Sequence, residues 1–217
     1  MVDFQSRDTR RHDDEEDADE SQSNQSNEET TTDDSGHDDG HDHEDHGHDD
    51  DHDHHAHDVE SLGAAVVTVS SSRSLSDDPS GDAIVASLED AGHKVVSRDL
   101  VEDDYDSVQG SVNALVNRGD VDVVVTTGGT GVTPDDVTIE AVGKLFDKEL
   151  PGFGELFRLL SHEDIGTKVV GTRATAGIVD GVVVFCLPGS EDAVRLGVER
   201  IIVEEAGHLA GLAGRGE

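Results

Sequence analysis

From Gly63 onward the chain alternates short apolar runs with stretches of helical periodicity, and that alternation admits few folds. Gly63-Ala64-Ala65-Val66-Val67-Thr68-Val69-Ser70 is a nearly continuous apolar run, the mark of a strand buried on both faces in a parallel sheet. Ser80 to Ala91 then places Ile84, Leu88 and Ala91 at helical spacing and stops at Gly92, a favourable C-cap. A second strand begins at Val95-Val96 and reaches Leu100-Val101; from Tyr105 to Asn117, Val108, Val112, Leu115 and Val116 share one helical face. Asp122 to Thr126 is a third buried strand, so the order β-α-β-α-β predicts a parallel sheet with right-handed crossovers. Helices are expected at Ile139 to Phe146 and Phe153 to Leu160. A hairpin is expected between Ala174 to Val179 and Val182 to Leu187, turned by Asp180-Gly181. Asp192 to Ala210, carrying Val194, Val198, Ile201, Ile202 and Leu209, reads as the closing helix. The fold class is therefore α/β, a three-layer sandwich with a mostly parallel sheet and a small β-hairpin.

Residues 1–58 read differently. They almost lack large apolar side chains and are rich in Asp, Glu, Ser, Asn and His, which predicts a disordered acidic, His-rich tail ahead of one folded domain at 59–217. Nine histidines fall between residues 37 and 57. The spacings His41-Asp42-His43 and His52-Asp53-His54 offer imidazoles to Zn, Ni or Cu, which makes His41, His43, His52 and His54 candidate metal ligands. A solvated tail is the plainer reading, since no fixed geometry orients these ligands.

Of the formal charge of −36, −20 belongs to residues 1–58 and −16 to the domain. Such a field repels phosphate backbones and anionic lipid, which argues against nucleic-acid or membrane partners. With four lysines in the chain, the composition is halophilic in character, suited to a cytoplasm where molar salt screens charge over ~3 Å. A single cysteine, Cys186, excludes an intramolecular disulfide and a Cys-based zinc site, and no apolar run approaches a membrane span, so a cytoplasmic location is expected.

The richest cluster of candidate chemistry is Thr126-Thr127-Gly128-Gly129-Thr130-Gly131, which leaves the third strand at its carboxyl end, where open α/β sheets bind ligands. Glycines let backbone N–H groups close on an anion, and phosphate is the natural guest. In Thr133-Pro134-Asp135-Asp136-Val137-Thr138, either Thr133 or Thr138 can cap the following helix. Capping does not account for two adjacent carboxylates beside a phosphate loop, but a divalent cation such as Mg²⁺ does. Glu102-Asp103-Asp104 offers a second acidic group at the end of the second strand; in so acidic a chain its default reading is a solvated surface. Leu150-Pro151-Gly152-Phe153-Gly154-Glu155 and Leu187-Pro188-Gly189-Ser190 each open a helix after a Pro-Gly turn, with Arg158, Arg173 and Arg195 nearby to offset phosphate charge. His93, His162 and His208 show no ligand spacing.

The segments Thr127 to Thr133, Asp136 to Val142, Pro151 to Arg158, Arg173 to Gly177 and Leu187 to Ser190 together resemble the MoaB/MogA family of molybdenum-cofactor biosynthesis, in the family's order and over Gly63 to Leu212. The resemblance implies a homotrimer or homohexamer that binds molybdopterin, works with other proteins of that pathway and uses ATP and Mg²⁺ to adenylylate the molybdopterin phosphate. By position it makes Asp103 and Asp136 the catalytic, Mg²⁺-holding pair, which favours Thr138 as the helix cap. It assigns substrate binding to Thr127, Gly128, Gly129, Thr130, Gly131, Gly152, Gly154, Glu155, Arg173, Pro188, Gly189 and Ser190. The chain departs from the family in Glu102, where Pro is usual, and in Pro134-Asp135, where basic residues are usual. Its acidic, His-rich tail, haloarchaeal-like in character, has no counterpart in the family core. Three other functions stay open: a non-catalytic molybdopterin-binding assembly partner, a metal-handling protein acting through the tail, and the role of the similar domain of nicotinamide-nucleotide deamidases, which normally sits beside a second domain. Because −16 on 159 residues is self-repulsive, the melting temperature is expected to rise between dilute buffer and molar KCl; an unchanged value would refute the charge argument.

Overall fold

The computed structural model describes residues 58–214, so the tail and its four candidate metal histidines lie outside the described residues. Strands β1 (Gly63–Val69), β2 (Lys94–Val101) and β3 (Val123–Thr127) alternate with helices α1 (Pro79–Asp90) and α2 (Tyr105–Val116). Then come α3 (Thr138–Gly143), β4 (Lys148–Glu149), α4 (Pro151–Ile165) and a 3₁₀ turn over Gly166–Gly171. The hairpin β5 (Thr175–Val179) and β6 (Val182–Leu187) leads into α5 (Glu191–Gly197), a π-turn over Val198–Ile202 and α6 (Val203–Ala213). All strands join one sheet in the order β2-β1-β3-β6-β5-β4. β2, β1, β3 and β6 run parallel, and β5 runs against both β6 and β4.

Side-chain alternation on the parallel strands creates the three layers. Ala64, Val66, Val123, Val125, Val183 and Phe185 point to one face, against α1, α4, α5 and α6. Ala65, Val67, Val124, Val184 and Cys186 point to the other, against α2 and α3. All eleven are fully buried, and each buried Val contributes on the order of 1.5–3 kcal/mol, which is why the runs carry almost no polar residue. Cys186 sits among them with its thiol pushed up to about 12 by burial, too high for a reactive thiolate. Among the described residues no helix is long and apolar enough to cross a membrane.

Local signals fix the ends of the elements. The α1 terminus closes as a Schellman motif: the N–H of Gly92 donates to the Glu89 carbonyl at 3.0 Å and that of His93 to Leu88 at 3.0 Å. Asp180 and Gly181 have φ of 48° and 82°, the paired positive values of a type I′ hairpin turn. Three expectations shift. The helix expected to reach Phe146 stops at Gly143, because the chain turns into the edge strand β4, where Asp147 N–H donates to Ile178 at 2.8 Å. α4 starts on Pro151 and runs on through His162, Glu163 and Asp164 to Ile165, a polar end that periodicity alone does not reveal. The closing helix is interrupted by the π-turn.

Asp78, absent from the sequence reading, ties three elements together. Its side chain is fully buried, N-caps α1 by accepting from Gly81 N–H at 3.0 Å, and accepts from Thr68 Oγ1 on β1 at 2.7 Å and from Arg98 Nη2 on β2 at 3.1 Å. Burial pushes its carboxyl up, but the hydrogen bonds of Thr68 and Gly81 and the Arg98 charge outweigh it and hold the group below the usual carboxylate range. Its contribution is therefore complete above the unfolded value of about 3.9 and is lost as pH falls through the lower folded value. Asp78→Asn is expected to cost about 3 kcal/mol in urea unfolding at pH 7, the low end for breaking a buried ion pair because Arg98 stays 24% exposed. The wild-type acid-side slope of stability should flatten in the variant; equal slopes would mean that the carboxylate contributes nothing.

Candidate functional site

The carboxyl ends of β2, β1, β3 and β6 lie on one edge of the sheet, and their loops are in direct contact. Gly128 and Gly129, which follow β3, have φ of 103° and 63°. A Cβ on Gly128 would stand 2.3 Å from the Val69 carbonyl oxygen, and one on Gly129 2.3 Å from Thr138 Oγ1, so neither position admits a side chain. Gly128 N–H donates to Leu187 at 3.0 Å and Thr127 Oγ1 donates to the Pro188 carbonyl at 2.9 Å. These bonds hold the glycine loop against the Pro188-Gly189-Ser190 turn.

Neither threonine caps α3 as expected. Val137 occupies the N-cap without a side-chain bond, while Thr138, the first helical residue, donates its hydroxyl to the Gly128 carbonyl at 2.9 Å. Fixing the glycine loop outcompetes capping there. Thr133 instead serves Asp136: its N–H and hydroxyl donate to Asp136 Oδ2 at 2.8 and 2.7 Å. Burial pushes the Asp136 carboxyl up; the Thr133 hydroxyl and N–H, the Gly131 N–H and the Arg173 charge outweigh it and keep the group below the usual carboxylate range. Asp136 is thus ionised at neutral pH.

Asp103 is fixed from the neighbouring loop. Ser71 N–H donates to Asp103 Oδ2 at 2.8 Å, and Asp103 N–H returns a bond to Ser71 Oγ at 3.1 Å. Asp104 next to it N-caps α2 through Asp106 and Ser107, which accounts for that member of the acidic group. Among the described residues neither Asp103 nor Asp136 enters an ion pair, and no three His, Cys, Asp or Glu side chains gather as a metal cluster. Two anchored carboxylates outside any ion pair fit Mg²⁺, which takes one or two carboxylates and completes its shell with water and phosphate oxygens.

The arginines are deployed unequally. Arg173 Nε donates to the Gly131 carbonyl at 2.7 Å and Nη2 to that of Asp136 at 3.0 Å, and the guanidinium pairs with Glu140. It therefore braces the loop from Gly131 to Glu140, and its donors are engaged by protein. Arg195 pairs with Glu191 and Glu199. Arg158 has no ion pair or hydrogen bond among the described residues and lines a hollow of about 380 Å³ with Pro151, Gly154, Thr172 and Arg173. Of the α4 residues, Gly152 and Glu155 are exposed, whereas Gly154 is buried with its Cβ position 2.5 Å from the Ala174 carbonyl. Gly154 serves the approach of α4 to the segment before β5.

The loop after β1 escaped the sequence reading. Arg73 Nη2 donates to the Gly189 carbonyl at 3.1 Å, where Ser80 Oγ also donates at 2.8 Å, and Ser70 Oγ accepts from the N–H groups of Ser72 and Arg73. The signal was present: Ser70 to Arg73 follows a parallel strand at its carboxyl end, the same criterion that singled out the loops after the second and third strands.

Residues 65–208 match the family described as a probable molybdopterin binding domain. Molybdenum cofactor biosynthesis protein B of Bacillus cereus is 50% identical over 145 residues, 66% of this chain and 86% of that protein. The Escherichia coli K12 protein of the same name is 43% identical over 141 residues, 65% of this chain and 83% of that protein. A crystal structure of a molybdenum cofactor biosynthesis protein B superposes with a TM-score of 0.70 at 46% identity, covering 72% of this chain and 99% of the other. The tungsten cofactor synthesizing protein MoaB from Pyrococcus furiosus gives 0.65 at 42%, covering 71% and 98%. With the family match spanning the sheet and all four edge loops, the chain belongs to the MoaB/MogA family.

Proposed function

We propose that this protein acts in molybdenum-cofactor biosynthesis by binding molybdopterin at the carboxyl edge of its sheet and transferring AMP from ATP to the molybdopterin phosphate. The observation that carries this reading is the pair Asp103 and Asp136: both are held by loop hydrogen bonds, and among the described residues neither enters an ion pair, although other carboxylates of the domain pair with arginines. In the transfer, an oxygen of the molybdopterin phosphate forms a bond to the α-phosphorus of ATP while the bond from that phosphorus to the bridging oxygen breaks and pyrophosphate leaves. The N–H groups of Gly129, Thr130, Gly189 and Ser190 orient the phosphates, and Asp103 and Asp136 would hold Mg²⁺. The cation, when bound, offsets the charge that gathers on the phosphate oxygens. Gly152, Gly154, Glu155 and Arg173 shape the flank of the site.

A binding role without catalysis is the second reading, favoured by the exposed acidic neighbours Glu102 and Asp135 and by the engagement of Arg173 with Glu140. The exposed apolar side chains Leu156, Leu159, Ile165 and Val170 support a homotrimer or homohexamer.

Incubation of the pure chain with molybdopterin, ATP and Mg²⁺ is expected to yield adenylylated molybdopterin and pyrophosphate; binding of molybdopterin without product would favour the second reading. Asp103→Asn and Asp136→Asn should each fold and lower transfer at least ~100-fold, since loss of a cation-holding group removes several kcal/mol of transition-state stabilisation. Wild-type turnover in either variant removes that residue from the site. Deleting residues 1–58 should leave folding and transfer intact, because the edge loops all lie beyond Gly63; loss of either, restored by added tail peptide, would instead support metal delivery through its histidines.

A further inference from the structure

We propose that Arg73 is the positioning residue of the carboxyl edge, setting the Pro188-Gly189-Ser190 turn on one side and Asp103 on the other. The inference rests on the reading of that edge as the nucleotide-handling site. Arg73 follows β1, the strand between β2 and β3, so its loop lies between the two that carry the aspartates. Its guanidinium works as a fork: Nη2 donates to the Gly189 carbonyl at 3.1 Å and Nη1 to Ser80 Oγ at 3.1 Å, while Ser80 Oγ donates to the same carbonyl at 2.8 Å. Two donors thus fix one peptide oxygen. In a trans peptide the N–H points opposite to the carbonyl, so the Ser190 N–H is turned away from Arg73, and the Thr127 bond to the Pro188 carbonyl fixes the Gly189 N–H in the same way.

The other half of the device runs through the backbone. Arg73 N–H donates to Ser70 Oγ at 3.2 Å and Ser72 N–H to the same oxygen at 3.3 Å, closing a tight turn that presents Ser71 N–H to Asp103 Oδ2 at 2.8 Å. Beneath, Arg73 Nη1 lies 3.5 Å from Oδ1 of Asp78, a carboxylate with no solvent exposure that is already anchored to β1, β2 and α1. The base of the fork is therefore as rigid as the core, and the fork transmits that rigidity to two loops that share no direct bond. A lysine supplies charge but not two coplanar donors, so it does not replace the geometry.

The test uses the full chain with Arg73→Lys, Arg73→Gln and Ser80→Ala, each assayed for amide exchange and for adenylyl transfer. Exchange at Ser71, Asp103 and Gly128, whose N–H groups are bonded across these loops, should quicken at least about fivefold in both Arg73 variants, while Val124 and Val125 in β3 exchange as in the wild type. Transfer should show kcat reduced at least about tenfold with KM for ATP within about twofold, the pattern of misplaced rather than lost groups. Ser80→Ala, which removes one of the two donors to Gly189, should quicken Gly128 but spare Ser71 and Asp103, and it carries the test if Arg73→Gln does not fold. The proposal is overturned by a folded Arg73→Lys whose Ser71, Asp103 and Gly128 amides exchange at wild-type rates. It is equally overturned if those rates rise in step with Val124 and Val125, which is global loosening. A wild-type chain that performs no transfer strikes the functional reading alone, and the exchange pattern then decides the role of Arg73.

Discussion

Three strand ends meet at backbone distance where Gly128 lies against the Val69 carbonyl, and the Cβ position of Gly189 lies 3.3 Å from the Gly128 Cα. This contact follows from the sheet order, which sets β3 between β1 and β6 and leaves their carboxyl ends no room for side chains. Everything at the edge inherits its placement from it. Thr138 abandons capping to hold the Gly128 carbonyl, Thr127 reaches Pro188, and the segment carrying Asp136 folds back over Gly131. The glycines of this loop are thus needed for the protein's own packing before any ligand is considered, and the open backbone of the loop is a by-product of strands that crowd together.

Charge follows a second logic. The domain has few cations and uses them sparingly: Arg98 on Asp78 and Asp82, Arg118 on Asp120, Arg173 on Glu140, Arg195 on Glu191 and Glu199. The exposed pairs are worth about 0–1 kcal/mol each, less still in molar salt. The Asp78 pair differs because its carboxylate is sealed from water, so both screening and solvation by salt are denied to it. The pairing that holds the edge together is thereby insulated from the ionic strength that governs the surface.

Most of the architecture was legible because strands buried on both faces must be apolar throughout, and Gly63 to Val69, Val123 to Thr127 and Val182 to Leu187 are. Asp180-Gly181 announced its hairpin through the positive φ values that only a few residues tolerate. Lys148–Glu149 was not legible: two exposed edge residues have no periodicity to read. The glycine loop and the two acidic groups were singled out from their places at strand ends, and the choice of Asp103 and Asp136 within those groups came from the family resemblance. The capping role given to Thr138 failed because the helix starts on Thr138 itself, leaving Val137 at the N-cap, and its hydroxyl is turned toward the Gly128 carbonyl. Asp78, Ser80 and Arg73 were passed over because Ser and Asp in a loop read as ordinary turn residues until a fold brings Gly189 beside them.

The reversal at Asp180-Gly181 has an effect on how the edge is assembled. β2, β1, β3 and β6 deliver residues there as they finish, but β5 runs the other way and arrives at the same edge as it starts. Arg173 reaches the site from this upstream flank, where its N–H donates to the Thr130 carbonyl at 3.2 Å. The stretch from Gly166 to Thr172 that leads into it is unconstrained by any strand register, so changes of length there can slide this flank along the edge while β2, β1, β3 and β6 stay in place. The sheet's single reversed strand thus gives the site one adjustable wall among fixed ones.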